Sequence, residues 1–292
     1  MVQETACPLC DGTGWKPIDD PATGVRRVVR CECWREHVGQ QRLADANIPT
    51  RYRHCTIENF TAYNESLVHA VTKARRVAES FPVSTRGLLL EGQPGVGKTH
   101  LAVAVLKQIV EATGARGLFY DTRDLLRIIR STYDPSIRTT ELEILRPVMT
   151  ADLLVLDDLG AEKTSEWVEE TMNLIVNTRY NEKRLTLFTS NYPDIPESAE
   201  QNSPEGRVLE TLVFRIGHRM RSRLHEMCEF VEMDGADYRE LPVNGDVADL
   251  MMMWKSRKKT SGLPSPRGRQ ARAQLRGDGR ADLKWPGGRA GS

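Results

Sequence analysis

Short apolar runs recur through the middle of the chain, and between them apolar residues return every three or four positions. The runs at 87–91, 117–120, 153–156 and 185–189 are rich in Leu, Val and Phe and predict strands buried on both faces. A shorter fifth strand is predicted at 229–232. Helical spacing predicts helices over 98–113, 123–131 and 166–181. Strand and helix alternate from residue 61 to 239, which predicts an α/β domain with a parallel central sheet. Outside that span the pattern weakens. Residues 1–40 show little periodicity, 41–60 read as a connector, and 240–292 read as a tail. Beyond Lys255 the tail is rich in Gly, Pro, Ser and Arg and is expected to be disordered. A polar insertion is expected at 198–205.

A chain of 292 residues is long enough for one full-sized α/β core with small appendages. No run of about 18 or more apolar residues occurs, so no membrane span is expected. The N-terminus lacks the basic and then apolar regions of a secretory signal. These features place the chain in the cytoplasm, where the six cysteines read as metal ligands or buried thiols rather than disulfides. The net charge of +1 conceals an asymmetry. From Lys255 onward, 11 Lys and Arg face 2 Asp, a local +9, and the rest carries 30 basic and 38 acidic side chains, or −8. A basic tail on an acidic body suits a contact with nucleic acid or an acidic protein; a merely solvated tail is the alternative.

The chemistry begins at Gly92-Gln-Pro94-Gly95-Val96-Gly97-Lys98-Thr99, which follows a predicted strand and opens a predicted helix. Glycines at these positions let successive backbone N–H groups curl around a phosphate, and the helix N-terminus adds positive potential. In such a loop Lys98 reaches the β- and γ-phosphates of ATP and the Thr99 hydroxyl holds Mg²⁺. Leu153-Leu-Val-Leu156-Asp157-Asp158 supplies an acidic pair at the C-terminal end of a buried strand, where α/β sheets bind ligands. Asp157 is the candidate Mg²⁺ residue and Asp158 the candidate for orienting the attacking water, with a solvated loop carboxylate as the alternative for Asp158. Asn191, after the strand Leu185-Thr-Leu-Phe188-Thr-Ser, is a candidate contact for that water or the γ-phosphate.

The stretch from Gly92 to His100, the run Leu-Leu-Val-Leu-Asp-Asp-Leu-Gly-Ala-Glu at 153–162, Thr189-Ser-Asn191, and Arg219-Met-Arg-Ser-Arg223-Leu together resemble the DnaC/DnaI helicase loaders and the IstB transposition ATPases. Ile48-Pro49-Thr-Arg51-Tyr52 and Thr56-Ile-Glu-Asn-Phe60 resemble the loaders' entry into the ATPase domain. The resemblance covers residues 41–239. It implies an AAA+ P-loop core, with the sensor strand between the P-loop strand and the acidic strand, so that Asn191 lies beside the γ-phosphate. It also implies that an arginine near Arg223, with Arg219 as second choice, acts on a neighbouring subunit's ATP within a homo-oligomer. Gly92, Pro94, Gly95, Val96, Gly97, Lys98, Thr99, His100 and Asp157 are then the nucleotide contacts. Most AAA+ proteins carry Glu where Asp158 stands. By simple helical geometry Arg215, Arg219 and Arg223 are expected on one helix face.

Cys7-Pro-Leu-Cys10 and Cys31-Glu-Cys33, joined by a hairpin-sized segment, make a four-thiolate candidate for tetrahedral Zn²⁺. His37 is a substitute ligand should Cys33 point away. A set of four sulfurs leaves no open position for chemistry, so the module is expected to be structural. The resemblance implies that it docks on a replicative helicase, as DnaI-type loaders do with theirs. Three functions stay open at this stage. The first is a loader that binds single-stranded DNA and a helicase. The second is a transposition helper that binds duplex DNA and a transposase, and the third is an ATP-switched adaptor with little turnover.

Overall fold

A computed structural model describes residues 7–10, 13, 15–19, 26–134, 136–163, 165–194, 211–261, 274–275 and 281–282. The chain opens with an antiparallel hairpin, β1 (Trp15–Asp19) and β2 (Arg26–Arg30), and runs from Cys31 into helix α1 (Glu32–Ala44). A connector with one 3-10 turn at Thr50–Tyr52 leads to helix α2 (Glu65–Ser80), whose first turn is capped by the Asn64 side chain on the Leu67 N–H.

The five predicted strands then form one parallel sheet. They are β3 (Gly87–Gly92), β4 (Gly117–Asp121), β5 (Leu153–Asp157), β6 (Leu185–Ser190) and β7 (Cys228–Met233), in the order β4-β5-β6-β3-β7. Between them lie α3 (Lys98–Thr113), α4 (Thr122–Ser131), α5 (Glu141–Thr150), α6 (Glu166–Asn181) and α7 (Leu212–Met227), followed by α8 (Val247–Ser261). The parallel α/β reading of the sequence is thus the observed one.

Side-chain alternation on the strands decides the layering. Leu88, Leu90, Leu153, Val155, Leu185 and Leu187 enter the core shared with α2 and α3. Leu89, Leu154, Leu156 and Phe188 enter the opposite core, closed by α4, α5, α6 and α7. Leu153 to Leu156 are all fully buried, so truncating any of the three leucines among them to Ala costs about 2–5 kcal/mol.

One cation sits inside the second layer. Arg179 of α6 is fully buried, and among the described residues no carboxylate pairs with its guanidinium. It donates instead to the carbonyls of Val148 (2.9 Å), Ala151 (2.8 Å) and Leu185 (2.6 Å) and to the Thr186 hydroxyl (2.9 Å). Two of those carbonyls lie at the end of α5, where the helix leaves its last acceptors without internal donors.

Two features depart from the sequence expectation. Helix α8 stands within the segment read as a tail, and its Leu250 is buried with Met253 and Trp254 packed against the same core. Gly217, with φ +78° and ψ 156°, breaks α7 into two helical halves. A continuous helix is needed to stack positions 215, 219 and 223, so the expected single arginine face is not formed. The polar insertion expected at 198–205 lies outside the described residues, as do most positions beyond 261.

Candidate nucleotide site

The sheet order puts β6 between β5 and β3, so the ends of the P-loop strand, the sensor strand and the acidic strand converge. There the chain lines a cleft of about 620 Å³. Gly97 caps α3 from left-handed backbone, φ +99°, and a Cβ there would lie 2.6 Å from the Phe60 ring. Only glycine gives both that turn and that approach. Pro94, Gly95, Val96 and Gly97 line the cleft with Lys98 and Thr99.

Lys98 is 6% exposed, and its ammonium donates to the carbonyls of Gly92 and Gln93 (2.8 Å each) and to Asn191 Oδ1 (2.7 Å). Burial lowers its pKa to about 8, against the opposing pull of Asp157 and Asp158. Asn191 turns its amide the other way, donating to Asp158 Oδ1 at 2.6 Å. Asp158 holds a left-handed backbone, φ +57°, which Asp tolerates better than most residues. Its N–H donates to the Thr189 hydroxyl at 2.9 Å, and Arg123 lies 3.9 Å from its second oxygen. Asp157 Oδ1 accepts from Thr99 (2.9 Å) and Thr189 (2.6 Å). Burial pushes both carboxyls above the usual carboxylate range. Oxygen donors from Thr99 and Asp157, side by side at the cleft, are the hard ligands that Mg²⁺ takes.

The sequence-derived nucleotide set therefore comes together around one cleft, apart from the arginines and from Gly92, which does not line it but accepts from Lys98 through its carbonyl. His100 lines the cleft but is tied to the connector, with its Nε2 2.9 Å from Asn59 Oδ1 and 3.0 Å from the Thr56 carbonyl. Arg223 donates to the Arg219 carbonyl (3.3 Å), and Arg219 is exposed; neither lines the cleft of its own chain. Several lining residues were not assigned to the nucleotide site from the sequence. Arg51, Tyr52, His54 and Phe60 come from the connector, and Tyr238 and Arg239 from the turn after β7, where the Tyr238 N–H donates to the Gly95 carbonyl at 3.0 Å. Their signal was faint: aromatic and basic residues clustered in otherwise polar links.

At the other end of the chain the four sulfurs of Cys7, Cys10, Cys31 and Cys33 lie within 4.8 Å of one another. The Cys7–Cys31 separation is 3.8 Å and Cys10–Cys33 3.3 Å. Tetrahedral Zn–S bonds of about 2.3 Å set sulfurs about 3.8 Å apart, so the cluster fits such an ion. Hydrogen bonds with the Cys10 and Cys31 sulfurs push Cys33 above the ordinary thiol range. Cys33 points into the cluster, and His37, exposed, is not part of it.

Comparison with known proteins agrees with this geometry. A family model described as IstB-like ATP binding protein matches residues 32–241. The chain belongs to that family. The replicative helicase loader DnaC of Escherichia coli K12 is 29% identical over 152 residues, 52% of this chain and 61% of that protein. The DnaC of Buchnera aphidicola subsp. Baizongia pistaciae is 30% identical over the same length. The chain thus spans about 61% of the curated relatives it matches. The crystal structure of a DnaC helicase loader superposes with TM-score 0.54 at 35% identity, over 63% of this chain and 99% of that one. AMPPCP-bound DnaA from Aquifex aeolicus, at 19% identity and TM-score 0.50, shares the AAA+ fold. Among the described residues no helix is long and apolar enough to cross a membrane.

Proposed function

We propose that this IstB-family chain hydrolyses ATP and serves DNA replication in the cytoplasm as a helicase loader, contacting single-stranded DNA and a replicative helicase. The ATPase reading is carried by the side-chain chain Lys98–Asn191–Asp158, which joins the P-loop, the sensor strand and the acidic strand at one cleft. Lys98 meets the β- and γ-phosphates, and Thr99 and Asp157 hold Mg²⁺. The bound ion neutralises charge on the phosphates. Asp158 orients the water that attacks the γ-phosphorus and takes its proton as the bond to ADP breaks. Asn191 contacts the γ-phosphate. As the family resemblance implies, Arg219 or Arg223 reaches the ATP of a neighbouring subunit, whereas Arg215 bonds Tyr192 and Arg221 pairs with Asp194 within their own chain. The four cysteines hold a structural Zn²⁺.

The loader reading is supported by the 35% identity to the DnaC structure, all but 1% of which the chain covers. Its DNA contact is supported by Arg130 stacked 4.6 Å over the Trp167 ring, whose N–H donates to the half-exposed Tyr133 hydroxyl at 3.0 Å. Aromatic faces flanked by arginine suit stacked bases. Exposed Leu9, Trp15 and Val28 on the cysteine module suit a protein partner. The transposition helper is the second reading, favoured by the IstB-like description of the matching family.

Sedimentation of the full chain with the host's replicative helicase and ATP separates the two. The loader should co-sediment with the helicase and bind single strands, with Tyr133→Ala and Trp167→Ala weakening that binding by about 1–3 kcal/mol each. Preference for duplex DNA without helicase association would turn the reading to the transposition helper.

A further inference from the structure

The segment that follows Asn191 is stitched to α7 at successive points. The Leu212 N–H donates to the Pro193 carbonyl at 3.0 Å, and the Arg215 guanidinium lies 4.6 Å over the Tyr192 ring and donates to its hydroxyl at 2.8 Å. Beyond the break at Gly217, Arg221 grips Asp194 with two bonds, Nε to Oδ1 at 2.5 Å and Nη2 to Oδ2 at 3.0 Å. His225, one turn on, reaches Asp194 Oδ2 at 2.9 Å while stacking on Phe230. The Asp194 side chain is 7% exposed, so this is a charge pair largely withdrawn from water.

The same residue is anchored to the root of the P-loop. The Asp194 N–H donates at 2.7 Å to Glu91, the residue before Gly92, whose carbonyl accepts from Lys98. Glu91 is itself held up to about 7, chiefly by burial, against the opposing hydrogen bond from the Asp194 N–H, with smaller repulsion from the Asp194 and Glu232 carboxylates and a counter-pull from Arg221. A buried pair of this kind is weak evidence for stability, since an apolar pair can pack as well. What it does fix is direction: a forked guanidinium on a carboxylate sets both distance and angle. Here it sets the C-terminal half of α7, the half that carries Arg219 and Arg223, against the loop that begins at Asn191.

We propose that Asp194 and Arg221 are positioning residues for ATP turnover, coupling the place of Asn191 in one subunit to the place of Arg219 and Arg223 at its neighbour's nucleotide. The inference rests on the ATPase reading above. The pair makes the loop and the distal half of α7 move together, where the glycine break would otherwise let that half swing.

The test compares the full chain with Asp194→Asn, Arg221→Gln and the exchanged pair Asp194→Arg/Arg221→Asp. ATP affinity should stay near wild type in the single variants, because neither residue lines the cleft, while kcat falls by about tenfold or more. The exchanged pair should recover a large part of that loss. Hydrogen exchange of residues 218–227 should show protection on ATP addition in the wild type and in the exchanged pair, and not in the single variants. Unchanged kcat in both single variants overturns the proposal. So does a parallel loss of affinity, thermal midpoint and kcat that the exchange does not recover, which marks a structural pair only. If the wild type binds ATP without hydrolysing it, the ATPase reading fails by itself. The hydrogen-exchange comparison then decides the coupling.

Discussion

Lys98 is almost fully buried, and that burial loosens its proton although three oxygens accept from the ammonium. ATP phosphates favour the charged ammonium, so binding below pH about 8 finds the proton in place. Above it, binding must take one up. Nucleotide affinity should therefore be full below pH 8 and weaken as pH rises through about 8, approaching tenfold per unit. Fluorescent-nucleotide titrations from pH 6.5 to about 9.5 check this, with Lys98→Ala weak throughout and lacking the slope. Equal affinity in Lys98→Ala and wild type would remove the P-loop assignment. At this scale the sequence was most legible where a residue follows a recognisable strand. Lys98, Thr99, Asp157, Asp158 and Asn191 all stand within a few positions of one. Arg239 and Phe60 were not legible, since folding alone brings Tyr238 onto Gly95 and Phe60 onto Gly97.

The strands were read within a residue or two because burial on both faces leaves a continuous apolar run. Helices α1, α2 and α5 were passed over. Helix α2 does carry the spacing, with Leu67, Ala70, Ala74 and Val77 buried. Helix α5 hides behind Pro147, although a capping box of Thr140 with Glu143 closes its first turn. The cysteine module makes the element-scale prediction. Purified reduced protein should contain one zinc per chain, and chelation should raise hydrogen exchange in 7–33 while β3, β5 and β6 stay protected. The distal part of α1 should resist, because Gly39 packs on Glu111 and Val38 on Gly114, at the end of α3. Elemental analysis without zinc would remove the metal.

For the whole molecule, one path of contacts runs from the cysteines to the nucleotide cleft. Helix α1 starts at Cys31, and beyond its end the Ala46 carbonyl accepts from Phe119 on the sheet's edge strand (2.8 Å). The connector that follows walls the cleft, with Lys107 of α3 donating to the carbonyls of Arg53 (2.6 Å) and Cys55 (3.0 Å). A partner seated on the module and ATP in the cleft would therefore both bear on the same short segment. Such a layout suits a machine whose turnover answers to its partner. The central claim is that the linked cleft hydrolyses ATP, and steady-state turnover of the full chain beside Asp158→Asn tests it most directly. The wild type should release phosphate, and Asp158→Asn should bind ATP with like affinity yet turn over about 10²-fold more slowly. Equal turnover in the two proteins, or none in the wild type despite bound ATP, would contradict the account.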